Sequence, residues 1–127
     1  MKKIISTDKA PKAIGPYSQA ISANGFLFIS GQGAINPLSN LYDPMSIEEE
    51  TEQALKNLQA ILESAGSHLN QVVKTTVFLK DMKEFPLMNE VYKKYFTENP
   101  PARSAIEASN LPKGFKVEIE AIALIGG

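Results

Sequence analysis

The segment from Ser46 to Ala65 constrains the fold more than any other part of the chain. Ile47, Thr51, Ala54, Leu55, Leu58, Ile61, Leu62 and Ala65 recur at the 3.6-residue period and make one apolar face. Ser46, with Glu49 three residues on, has the spacing of a capping box. Glu48, Glu49 and Glu50 put anions where the dipole of a helix N-terminus favours them. Gly66 supplies the stop. A long helix with one apolar face must lie against something, and most of the remaining chain reads as strand.

A second helix is predicted from about Lys83 to Thr97. Phe85, Met88, Tyr92, Tyr95 and Phe96 recur at helical spacing as a packing face, Pro86 suits the first turn, and Asn99-Pro100-Pro101 ends it. Tyr17 to Ala23 and Phe26 to Ser30 read as strands joined through Asn24-Gly25, a hairpin signal. Val72 to Leu79, Ser104 to Ala108 and Lys116 to Ile125 are further strands. In the last, Val117, Ile119, Ala121 and Ala123 share one face and Glu118, Glu120, Ile122 and Leu124 the other. The order of strands, helix, strand, helix, two strands predicts an α+β fold, with both helices on one face of a mixed sheet.

The 127 residues fit one domain spanning 1–127. Hydrophobic residues are 43% and charged residues 21%, values of a globular chain rather than a disordered one. There is no cysteine, which excludes disulfides, thiolate metal sites and a thiol nucleophile, and a single histidine, His68, excludes a multi-histidine metal site. The formal net charge of −1 lacks the basic footprint of nucleic-acid binders. The stretch Met1 to Asp8 has no apolar run of the ~7–15 residues that a secretory signal needs, and nothing approaches the ~20 of a membrane span. A cytoplasmic protein with no membrane partner is expected. Gly31-Gln32-Gly33 follows a strand, but no third glycine and no helix follow it, so no dinucleotide site is expected.

That inventory leaves carboxylates, one arginine, tyrosines, serines, lysines and backbone groups for chemistry. Arg103 is the sole arginine and therefore the sole planar fork for gripping an anion through two bonds. It alternates onto the same strand face as Ala105 and Glu107, opposite Ser104 and Ile106. It reads either as a surface residue at a strand start or as an anion anchor. Glu118 and Glu120 read either as solvent-side residues of an alternating strand or as carboxylates near Arg103. A hairpin through residues 109–115 would bring the two strands together. Tyr17, after Gly15-Pro16, is either presented by a rigid turn or packed at a strand start. His68 belongs to an exposed loop.

Several segments, taken in order, resemble one family. They are Ala13-Ile14-Gly15-Pro16-Tyr17-Ser18-Gln19-Ala20, Phe28-Ile29-Ser30-Gly31-Gln32, residues 73–82 (VKTTVFLKDM), Asn89-Glu90-Val91-Tyr92, Pro101-Ala102-Arg103-Ser104 and residues 117–123 (VEIEAIA). Together they resemble the Rid family (reactive intermediate deaminases, also called YjgF-type or endoribonuclease L-PSP proteins), in its RidA branch, over essentially the whole chain.

The resemblance implies a chorismate-mutase-like fold assembling into a homotrimeric barrel with clefts between subunits. It implies hydrolysis of 2-iminopropanoate and 2-iminobutanoate, released by pyridoxal-phosphate-dependent dehydratases, to 2-keto acids and ammonia, with no metal or organic cofactor. Carried onto this sequence, it makes Arg103 the carboxylate anchor and Glu118 the group that orients or deprotonates water. It places Tyr17, Ser30, Gly31, Asn89 and Ala105 around the substrate. Ala105 is a departure, because many relatives carry cysteine there; the position is expected to act through its backbone. The competing expectation is a non-catalytic trimer that binds small carboxylates. A ribonuclease, which one family name evokes, is disfavoured by near-neutral charge, one arginine and one histidine.

Overall fold

A computed structural model describes residues 1–126. Its elements are β1 (Lys3–Ile5), β2 (Ala20–Ala23), β3 (Phe26–Gln32), α1 (Ile47–Ser64), β4 (Val72–Leu79), α2 (Phe85–Tyr95), β5 (Ala102–Glu107) and β6 (Val117–Leu124), with short 3₁₀ turns before β4, α2 and β6.

The ends of α1 follow from its sequence. Ser46 Oγ accepts from Glu49 N at 3.1 Å, while Glu49 Oε1 accepts from Ser46 N at 3.4 Å. At the other end Gly66 takes φ of +80°. Ser67 N donates to Leu62 O at 2.9 Å and Gly66 N to Glu63 O at 3.1 Å, the paired bonds of a Schellman stop. The face from Ile47 to Leu62 is buried as its periodicity predicts.

Helix α2 is shorter than the expected 83–97. Pro86 has no N–H to donate and its ring crowds the preceding turn, so residues 82–84 wind as a 3₁₀ turn capped by Asp81 Oδ1 on Lys83 N at 2.9 Å. The helix ends at Tyr95, and Phe96 leaves helical geometry with its ring buried in the core.

The six strands lie in the order β1-β2-β3-β6-β4-β5, antiparallel except for the parallel pair β4–β5. The β2–β3 hairpin turns through Asn24 (φ +52°) and Gly25 (φ +81°), both left-handed as a type I′ turn requires. β2 begins at Ala20, not at Tyr17. Residues 15–19 form a turn, with Tyr17 N on Gly15 O at 2.9 Å, and Gln19 points its amide inward rather than into a ladder.

The expected β5–β6 hairpin does not form. β4 lies between the two strands, paired with β5 on one edge and β6 on the other. This long, apolar, β-branched strand carries unpaired backbone groups on both edges, and satisfying both puts it inside the sheet. Residues 109–115 therefore cross its end.

Leu27, Ile29, Val77, Leu79, Val117, Ile119, Ala121 and Ala123 face the helices and form the core with α1 and α2. Among the described residues, no layer covers the opposite face. Ile21, Phe28, Ile122 and Lys74 run across it in register, and Phe26, Phe28, Ile106 and Leu124 are exposed. Among the described residues, no helix is long and apolar enough to cross a membrane.

Candidate functional site

The residues singled out in the sequence fall into two groups. Tyr17, Ser30, Gly31 and Glu118 line one cavity of about 640 Å³, together with Glu120 and the apolar side chains of Ile14, Ile35 and Phe115. Arg103, Asn89 and Ala105 form the second group, on the helix side of the sheet near α2.

The first group is built on a register shift. Between Ile29 and Gln32 the β3–β6 ladder slips, which pushes Ser30 and Gly31 out of regular pairing. Ser30 Oγ donates to Ser18 O at 2.6 Å, and Ser30 N donates to Gln19 O at 3.0 Å. These bonds pin the turn that presents Tyr17, whose ring is half open to solvent at 53% exposure. Gly31 lies so close to Glu118 that a Cβ there would sit 2.8 Å from the carboxyl carbon. A side chain there would push the Glu118 carboxyl aside.

Glu118 is half-buried, and among the described residues its carboxylate has no hydrogen bond or ion pair. Burial, followed by the nearby charge of Glu120, raises its pKa above the usual carboxylate value. A carboxylate so placed is a better proton acceptor than an exposed one and has free lone pairs for a water molecule.

In the second group, Arg103 Nη1 donates to Asn89 Oδ1 at 2.7 Å. The guanidinium carbon lies 4.8 Å from the Tyr92 ring centre and 5.2 Å from that of Phe85. None of the ion pairs among the described residues involves Arg103. Ala105, two residues on, shares its face and packs against the core edge. His68 is exposed, as expected, and caps a 3₁₀ turn through its backbone.

One chain does not bring the two groups together. Arg103 pairs with Thr75 and thence with Ala121 on the helix side, whereas Glu118 pairs with Phe78 on the open face. The two residues sit two strands apart, about 10 Å across, and three ladder positions apart, about 10 Å along.

Gln19 and Glu50 are among the buried polar residues that escaped the sequence reading. Gln19 accepts from Thr7 N at 2.7 Å and donates to Pro11 O at 2.8 Å, tying the N-terminal segment to the Tyr17 turn. Glu50, fully buried, accepts from Tyr42 Oη at 2.7 Å, Met45 N at 3.1 Å and Lys116 N at 3.1 Å. It thereby fixes the loop after β3 against the start of β6, the strand that carries Glu118. The signal was its place on the stripe of Ile47, Thr51 and Ala54, where an unpaired charge is not tolerated.

The chain is similar to known proteins along nearly its whole length. The family described as Endoribonuclease L-PSP matches residues 7–125. A RutC family protein of Pyrococcus horikoshii is 56% identical, over 97% of this chain and 98% of its own. The 2-iminobutanoate/2-iminopropanoate deaminase of Mus musculus is 52% identical, over 99% of this chain and 93% of that one. Among solved structures, Escherichia coli TdcF with bound serine is 39% identical and superposes with a TM-score of 0.92, over 98% of this chain and 99% of that one. With its six-stranded sheet, two helices and ordered motifs, the chain belongs to the endoribonuclease L-PSP family, the Rid family that the sequence resembles.

Proposed function

We propose that the protein hydrolyses short 2-imino acids, 2-iminopropanoate and 2-iminobutanoate, to 2-keto acids and ammonia. Its active sites would lie between the subunits of a homotrimer, each combining Arg103 of one copy with the Tyr17–Ser30–Gly31–Glu118 cavity of the next. The observation that carries this reading is the separation of two complementary half-sites. Among the described residues, one chain holds an arginine without an acidic partner and an unpartnered half-buried carboxylate on opposite faces of its sheet. The uncovered face bearing Phe26, Phe28 and Leu124 supplies an apolar surface for association.

In that site Arg103 binds the substrate carboxylate and orients the C=N bond. Glu118 takes a proton from water as its oxygen adds to the imine carbon. Glu118 passes that proton to the nitrogen, the hydroxyl proton follows as the C–N bond breaks, and ammonia leaves a carbonyl and a regenerated carboxylate behind. The imine hydrolyses in water unaided, so two positioned groups and a sheltered cavity suffice for the acceleration. The resemblance to the mouse deaminase supports this chemistry. Dehydratase-generated 2-aminoacrylate tests it: wild-type protein accelerates keto-acid release and Arg103→Ala does not, whereas equal rates refute the mechanism.

A second reading, a trimer that holds small carboxylates without turning them over, draws on the serine bound in the TdcF structure. Binding of a 2-keto acid without any imine turnover would favour it.

A further inference from the structure

We propose that Phe85, Asn89 and Tyr92 form an electrically neutral clamp that positions the Arg103 guanidinium and keeps its charge available to an incoming carboxylate. The clamp thereby sets how tightly the site holds a 2-imino or 2-keto acid. The inference rests on the reading of Arg103 as carboxylate anchor and assigns roles to two aromatic residues whose spacing otherwise reads as core packing.

The three residues stand four and three positions apart on α2 and so share one face of the helix. That face meets the start of β5. The Tyr92 and Phe85 ring centres lie 4.8 and 5.2 Å from the guanidinium carbon, within the range of a cation–π contact, while Asn89 Oδ1 accepts from Nη1 at 2.7 Å. Tyr92 is itself held, its hydroxyl 2.7 Å from Thr75 Oγ1. Thr75 is the register partner of Arg103 on the neighbouring strand. The ring that faces the guanidinium is thus fixed to the same rung of the ladder as the arginine.

The chemistry of the clamp matters as much as its geometry. A carboxylate at the place of Asn89 would form an internal ion pair and compete directly with substrate. An amide and two ring faces restrain the guanidinium while leaving its net charge intact and most of its five N–H donors free. Burial raises the Tyr92 pKa despite the opposing influence of Thr75 and Arg103, so the phenol stays neutral and does not become a competing anion.

Calorimetric titration with pyruvate and 2-oxobutanoate, beside steady-state turnover of dehydratase-generated 2-aminoacrylate, tests the proposal. Phe85→Leu and Tyr92→Leu should each raise Kd and KM about tenfold, with kcat within about threefold, as expected for lost binding common to ground and transition states. Tyr92→Phe, which keeps the ring but loses the hydroxyl bond to Thr75, should raise Kd and KM by less than Tyr92→Leu does. Asn89→Asp should weaken binding about a hundredfold while thermal unfolding is unchanged or raised, because the new ion pair stabilises the apo site. Phe85 is only half-buried, so its variant carries the test should Tyr92→Leu unfold. If Phe85→Leu and Asn89→Asp bind keto acids like wild type while Arg103→Ala does not, the clamp is wrong and the anchor stands. If Arg103→Ala also binds like wild type, the anchor reading itself is wrong.

Discussion

The carboxyl group of Glu118 occupies the space that a side chain on Gly31 would fill, with the absent Cβ only 2.8 Å from its Cδ. The shift in the β3–β6 ladder brings them together, and it couples the identity of residue 31 to the position of a proton acceptor. Gly31→Ala would displace a flexible chain end rather than packed backbone. The expected outcome is an unfolding midpoint within a few degrees of wild type and a fall in kcat of about tenfold or more, read by thermal melts and keto-acid release. Gly33 offers the contrast. There a Cβ would meet the buried Phe115 ring, 2.7 Å from its Cγ, so Gly33→Ala should lower stability first.

The pH profile should carry the mark of Glu118. Its raised pKa comes first from burial and then from Glu120. A general base acts only when deprotonated, so activity should fall as pH drops through that pKa, at a higher pH than an ordinary carboxylate would impose. Glu120→Gln removes the like charge, lowers the Glu118 pKa and should move this acidic limb to lower pH with little change at the plateau. Glu118→Gln should abolish the limb together with about a hundredfold of the rate. Keto-acid release measured across pH with all three proteins decides it; an unmoved limb in Glu120→Gln contradicts the assignment.

Glu50 is a structural strut with a measurable weight. Glu50→Ala removes the acceptor of the Met45 and Lys116 backbone N–H groups and leaves Tyr42 Oη only its longer bond to Gly114 O at 3.3 Å. The expected loss is about 3 kcal/mol, and the unfolding midpoint should fall by roughly 10 °C. Glu50→Gln, which keeps one acceptor oxygen, should lose about half as much by the same reasoning. Thermal and denaturant unfolding of the two variants measures the difference.

What could be read from the chain was local. The capping box, the apolar stripe and the Gly66 stop define α1 because each acts within a turn of its own position. β4 falls on residues 72–79 as expected because its β-branched run is bounded by turns. Arg103 stood out as the sole arginine, and its role as carboxylate anchor came from the family resemblance. What stayed hidden depends on distant partners. The sheet order sets β4 between β5 and β6, so Arg103 and Glu118 part to opposite faces instead of meeting across a hairpin. The ladder shift at Gly31, the burial of Gln19 and Glu50, and the stacking of Phe85 and Tyr92 on Arg103 all arise between segments far apart in sequence. No spacing rule within one segment encodes them.

Complementation between inactive subunits measures the central claim most directly. Arg103→Ala and Glu118→Gln chains, each inactive alone, are refolded together in equal amounts and their mixed assembly is verified by distinguishable tags. In a cyclic trimer whose sites pair Arg103 of one copy with Glu118 of the next, every mixed trimer regains one intact site. The account therefore predicts about one quarter of wild-type keto-acid release from the mixture. A mixture of verified mixed trimers no more active than either variant alone, or a chain that stays monomeric, would contradict it.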